Sequence, residues 1–182
     1  MTILAIDPGT TMSAYVLLGD DYTFLNAGKV ANEVVAGEII PTPGVDRVVI
    51  EHMEPRFGGG GDRTAAGRVI GESSWETAYW IGEFRRMARL HALPVERVYR
   101  REERSCLIPS KRNRLPPLPE GTPAHADGQL RAALIRRFAR HDLKSGRGTK
   151  DNPDVFYGFA GDMWQAAAVG VTWLDRQEGR AR

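Results

Sequence analysis

Two short apolar runs in this chain each end on a carboxylate. Thr2-Ile3-Leu4-Ala5-Ile6-Asp7 and Arg47-Val48-Val49-Ile50-Glu51 are dominated by aliphatic and β-branched residues and are too brief for core helices, so both read as buried strands. Each therefore delivers an acid at its C-terminal end. The first run is followed by Pro8-Gly9-Thr10-Thr11, a turn signal, and by Ser13 to Leu18 as a second strand, which implies an antiparallel hairpin. Gly19-Asp20-Asp21 is a further turn, and Tyr22 to Val30 completes a three-strand meander. A short helix over Ala31 to Ile40 leads to the Arg47 to Glu51 strand.

Beyond that strand the pattern changes. Gly58 to Gly61 is a four-glycine stretch that a packed element would not tolerate, because each glycine loses much backbone entropy on ordering. Ile70, Trp75, Ala78, Tyr79, Ile81, Phe84, Met87 and Leu90 predict an amphipathic helix between Thr64 and Leu90, clearest after Ser74. Val95 to Tyr99 makes another strand. The stretch about 100–125 mixes basic residues with Pro109, Pro116, Pro117, Pro119 and Pro123, and reads as a long, flexible basic loop. Asp127 is the expected N-cap of a helix through Phe138, residues 144–153 form a second flexible basic loop, and Gly161 to Trp173 is the last helix, with Asp162 in its first turn.

At 182 residues the chain is expected to be a single domain over 1–182, and its 42% apolar and 26% charged content excludes disordered and fibrous classes. Its apolar runs fall far short of the ~20 residues a membrane span needs, and no secretory leader opens it, so a cytoplasmic protein without a membrane partner is expected. The lone Cys106 reads as a small, partly buried hydrophobe. The four histidines, His52, His91, His125 and His141, show no metal-ligand spacing. Net charge is only +2, but it is unevenly spread: residues 1–84 carry 5 basic and 12 acidic side chains, 85–114 carry 10 and 3, and 131–150 carry 7 and 1. The second half holds the candidate polyanion surface.

The order of elements, three strands and then alternating strands and helices with acids ending the first and fourth strands and opening the last helix, is that of the ribonuclease-H-like fold. Ala5-Ile6-Asp7-Pro8-Gly9-Thr10-Thr11 resembles the first motif of RuvC-type Holliday-junction resolvases and Val49-Ile50-Glu51 the second. Gly161-Asp162-Met163-Trp164-Gln165-Ala166-Ala167-Ala168-Val169 resembles the terminal motif of their phage-borne members, and Asp127 to Ile135 with Arg137-Phe138 the helix before it. The resemblance implies an α/β fold with a mixed five-stranded sheet, a three-strand antiparallel meander plus βαβ units, flanked by helices. It also implies a metal-dependent endonuclease acting on branched DNA, a four-way junction above all, as a homodimer that makes paired symmetric nicks.

Cleaving a phosphodiester requires an activated water, neutralisation of the crowded phosphate and stabilisation of the leaving oxyanion; two divalent ions can supply all three. Mg²⁺ and Mn²⁺ prefer carboxylate oxygen. Asp7, Glu51 and Asp162 are the expected ligands and catalytic acids. RuvC carries a fourth acid, paired with another three residues away in its last motif; here Gln165 stands three after Asp162 and Phe159 three before. Gln165 is accordingly a candidate weak or water-mediated ligand, and Asp154 a further one. A lysine upstream of the last motif assists at the scissile phosphate in the resemblance; Lys150 fits by position, Lys111 less well. Lys111, Arg112, Arg114, Lys144, Arg147 and Lys150 are candidate phosphate contacts, and Phe57 beside the glycines a candidate wedge between bases. Two other readings stand beside this one. A non-catalytic branched-DNA-binding module could sit on the same fold. Ile6 to Thr11 also resembles the phosphate loop of actin-like ATPases and sugar kinases, although those need a second domain that this length does not hold.

Overall fold

The computed structural model describes residues 1–53, 72–111, 113 and 115–179. Five strands form one sheet: β1 (Thr2–Asp7), β2 (Met12–Gly19), β3 (Phe24–Ala31), β4 (Arg47–His52) and β5 (Val95–Tyr99), in the order β3-β2-β1-β4-β5. The meander β1-β2-β3 is antiparallel, whereas β4 pairs parallel with β1 and β5 parallel with β4. Antiparallel neighbours need only tight turns and parallel ones a crossover, so the sheet changes character where the connections lengthen. The first crossover is α1 (Asn32–Val34), which runs into a π-helical turn at Val35–Ile39; the second contains α2 (Glu72–Leu90).

Alternation along the strands sorts the core into two layers. Ile3, Ala5, Val16, Leu18, Val49 and Val98 face one side, under α3 (Arg100–Leu107), α4 (Ala126–Phe138) and α5 (Met163–Gln177). Leu4, Ile6, Tyr15, Val48 and Ile50 face the other, under the π turn and Ile81, Phe84 and Ala88 of α2. Helix α5 lies close on the sheet because its contact face is small: a Cβ on Gly170 would stand 3.1 Å from the Cβ of Ala5 and 3.1 Å from Leu18. An aromatic group of Phe24, Phe138, Phe156, Phe159 and Trp164 closes one end of this layer, its ring centroids 4.7 to 6.5 Å apart.

Three sequence expectations are corrected. The stretch beginning at Arg100 is not loop throughout, because Arg100–Leu107 is helical. Its first five residues are Arg and Glu, all strong helix formers, and the Glu102 carboxylate accepts the Tyr99 N–H at 2.8 Å to close its first turn. The prolines begin only at Pro109. Helix α4 is capped by His125, whose ring Nδ1 accepts the Gly128 N–H at 3.1 Å, with Asp127 one step inside. Asp162 is the residue before α5 rather than within its first turn.

Candidate active site

Parallel register sets the first two acids side by side. Ile6 pairs with Ile50, so Asp7 and Glu51 follow as neighbours at the C-terminal ends of β1 and β4, on the face that also carries Ala5 and Val49 under α5. The turn after Asp7 is fastened from behind: Ser13 Oγ accepts the Gly9 N–H at 3.1 Å and donates to Asn32 Oδ1 at 2.6 Å, and Asn32 Nδ2 donates back to the Gly9 carbonyl at 3.1 Å. Ser13 and Asn32 are fully buried, so this brace is shielded from competing water. It also consumes the Gly9 N–H that a phosphate-cradling turn would need.

Strand β5 ends at the same edge and hands over directly to α3, which sequence reading missed. Two of its residues enter the site. Arg100 places Nη1 3.9 Å from Glu51, and Nη2 3.1 Å from Asp127 and 3.0 Å from Gln165 Oε1. Glu103 is wholly buried and accepts a hydrogen bond from Gln165 Nε2. The only sequence signal for Glu103 was an acid among basic residues, and its side chain becomes interior only once α3 packs on α5.

The fourth element is α5. Asp162 stands at its start, half exposed, with Lys29 Nζ of β3 at 2.5 Å. Gln165 is buried three residues on. Asp7, Arg100, Asp127, Asp162 and Gln165 line a cleft of about 1000 Å³ together with Arg131, Lys144 and Arg147. Arg131 lies 4.9 Å over the Trp164 ring, a contact that holds the guanidinium at the cleft wall. Lys144 and Arg147 thus reach the cleft as the charge pattern implied. Lys111 and Lys150 are exposed but do not line it. Phe57, Arg112 and Arg114 lie outside the described residues.

Asp154 is not a site carboxylate. It accepts the backbone N–H groups of Arg140, His141, Asp142 and Val155 at 2.7 to 3.2 Å and serves the loop between α4 and α5. Cys106 is half-buried beside Asp175, at 3.4 Å; burial and that acid push its thiol up to about 12, so it is an inert packing residue, as expected.

The electrostatics of the cleft floor are those of an unneutralised acid cluster. Burial first, and then the Glu51 charge, push the Asp7 carboxyl well above its ordinary range, with Arg100 opposing. Burial and Glu51 do the same to Glu103. One oxygen of Glu51 and one of Glu103 are buried with no hydrogen-bond partner among the described residues. Hard carboxylate oxygens that lack protein partners suit a small divalent cation. The donors are not drawn together around a point: among the described residues, no three His, Cys, Asp or Glu side chains converge closely enough to hold one ion. Lys29 holds Asp162 on the far side, and Arg100 occupies the space between Glu51 and Asp127.

No protein-family model matches the chain, and no curated protein matches it. Solved structures do. The RuvC of T. thermophilus in complex with a Holliday junction substrate matches with a TM-score of 0.59 at 15% identity, covering 100% of this chain and 98% of that one. The Thermus thermophilus RuvC structure matches with a TM-score of 0.58 at 15% identity, covering 100% and 99%. The fold is the RuvC fold. The mixed five-stranded sheet and its flanking helices are thus those expected for the ribonuclease-H-like class. Within this RuvC fold Asp7 ends the first strand, Glu51 lies on the fourth, and Asp162 immediately precedes the last helix.

Proposed function

We propose that this protein is a divalent-metal-dependent endodeoxyribonuclease that cuts branched DNA, and that its substrate is a four-way junction resolved by paired symmetric nicks. The observation that supports this most is the placing of Asp7 and Glu51 side by side at the ends of adjacent strands of a RuvC-fold sheet, with Asp7, Asp162 and Gln165 lining one cleft together with Arg131, Lys144 and Arg147. The solved T. thermophilus RuvC in complex with a Holliday junction substrate shows what a chain of this fold can bind.

In this reading Asp7, Glu51, Asp162 and the Gln165 oxygen would hold the divalent cations, Mg²⁺ or Mn²⁺. Bound ions supply a nucleophilic water and neutralise charge on the phosphate. The chain's own residues do the rest. Arg131, Lys144 and Arg147 seat the phosphodiester backbone without reading sequence, which suits recognition by shape. Asp7 and Glu51 sit on rigid strands, and the Ser13–Asn32 brace keeps the first of them from moving with its turn. Lys29 pairs with Asp162, and Arg100 with Glu51 and Asp127, so these two cations neutralise part of the acid cluster. Lys150, and less so Lys111, are the loop lysines that can approach the scissile phosphate, while Phe57, Arg112 and Arg114 are further contacts in this proposal. A two-fold homodimer would supply two such sites for opposite strands. On α2, Trp75 and Tyr79 are 63% and 66% exposed one turn apart, an apolar pair suited to that contact. No helix among the described residues is long and apolar enough to cross a membrane, and action in the cytoplasm, a host's if the protein is phage-borne, completes the proposal.

The test is cleavage of a synthetic four-way junction beside a linear duplex and an RNA:DNA hybrid, with Mg²⁺, Mn²⁺ or EDTA. Symmetric metal-dependent nicks confined to the junction are expected. Binding without cutting in any metal would instead support the non-catalytic module, which the replacement of a terminal acid by Gln165 favours.

A further inference from the structure

Gln165 stands where the resemblance places a second acid on the last helix, and a neutral amide there would leave the site one charge short. The missing charge is close by on another element. Glu103, on α3, is wholly buried behind Gln165, accepts the amide N–H of its Nε2, and keeps its second oxygen free of any hydrogen-bond partner among the described residues. The other end of the same amide accepts from Arg100 at 3.0 Å, on the cleft side.

We propose that Glu103 is the acid this chain uses in place of one on α5, and that it acts as a positioning residue: it fixes Gln165 so that the amide oxygen faces the cleft as a donor toward a divalent cation. The Arg100 end determines its orientation: a guanidinium can only donate, so the group facing Arg100 is the oxygen, which leaves the NH₂ toward Glu103. A purely structural brace between α3 and α5 would not call for a carboxylate. Burying an acid with one oxygen unpartnered is costly, and an apolar pair of similar volume packs the same space more favourably. The charge becomes favourable when a cation stands beyond Gln165, since a partner that orients and polarises a ligand strengthens it.

This inference rests on the metal-dependent reading of the site, and the experiment separates the two. Mn²⁺ binding to the DNA-free protein is titrated by electron paramagnetic resonance or calorimetry, with no turnover involved, for wild type, Glu103→Gln, Gln165→Ala and the exchange Glu103→Gln/Gln165→Glu. Glu103→Gln and Gln165→Ala are each expected to weaken Mn²⁺ by about 10-fold or more, the usual cost of losing an outer partner of a metal ligand. The double variant Glu103→Gln/Gln165→Ala should be no weaker than either. The exchange, which trades amide and carboxylate across the same hydrogen bond, should recover most of the loss. Wild-type affinity in Glu103→Gln overturns the role of Glu103 alone, while absence of Mn²⁺ binding in wild type overturns the metal reading and this inference with it. Thermal unfolding in EDTA reports whether each variant folds. Should Glu103→Gln fail to fold, unchanged Mn²⁺ affinity in Gln165→Ala overturns the proposal and a loss restored by the exchange supports it.

Discussion

Two groups of carboxylates in this molecule are treated in opposite ways. In the loop between α4 and α5, Asp154 is buried but accepts four backbone N–H groups, which outweigh the burial and hold its carboxyl far below the ordinary range. Asp142, one loop turn away, accepts the Ser145 hydroxyl and the N–H groups of Ser145 and Gly148, among others, and is held low as well. At the cleft Asp7, and behind it the buried Glu103, meet other acids and few donors, and both are pushed up. The first pair organises backbone; the second faces other carboxylates. Burial alone does not distinguish them, since Asp154 and Glu103 are both interior, so it is the donor supply that separates a structural acid from a site acid.

The contrast is broken most decisively by exchanging the roles. Asp7→Asn should lower junction cleavage by about 10³-fold or more while leaving junction affinity intact, because the charge that organises the ions is lost and the phosphate contacts are not. Full cleavage by that variant would remove Asp7 from the mechanism. Asp154→Ala should do the reverse, lowering folding stability by about 3 kcal/mol in a denaturant titration, since several buried N–H groups lose their acceptor. If it instead abolished Mn²⁺ binding at unchanged stability, the division between the two groups would fall.

Binding tests the basic residues of the cleft. Junction affinity should fall steeply with salt, and Arg147→Ala should reduce the slope of log K against log salt by about one unit with no change in base preference. A flat salt response would mean that phosphate contacts do not dominate.

The pH dependence carries opposite signs for the two groups. Asp7 and Glu103 titrate higher in the folded protein than their ordinary 3.8 and 4.5, so their contribution is most favourable below those values and is lost as pH rises through the raised folded values. Asp142 and Asp154 titrate lower than their ordinary 3.8, so theirs is present above that value and lost as pH falls through the lowered ones. In EDTA, Glu103→Gln should therefore raise the melting temperature by several degrees near pH 8 and by much less near pH 5, which lies close to the unfolded carboxyl's ordinary value, so that protonating it on folding costs little. Equal shifts at both pH values would show that the site acid is not held protonated. Smallest of all, Lys29→Ala should change stability by less than about 1 kcal/mol, as exposed ion pairs do, yet tighten Mn²⁺ a few-fold by releasing Asp162. A loss of Mn²⁺ affinity would place Lys29 on the side of the ligands.

Local pattern made much of this legible. Strands β1 and β4 announce themselves as aliphatic or β-branched runs, and the acids near their ends are visible without any coordinates. The sequence by itself also determined the separation of a basic second half from an acidic first half, because charge is additive along a chain. It did not determine which charges meet. Arg100 to Leu107 has the composition of a solvated basic stretch, and its helix forms because Tyr99 and Glu102 close a turn that composition alone does not reveal. Asp154 and Glu103 are alike as letters; one is surrounded by N–H groups and the other by acids only after the chain has folded. Asp127, read as a cap, instead lies 3.1 Å from Arg100 at the cleft, and Lys29, unremarkable on β3, meets Asp162 across 133 residues. Strand identity depends on neighbours within a few residues, whereas a carboxylate's proton affinity depends on every charge and dipole within several ångströms. Only the tertiary structure decides which those are.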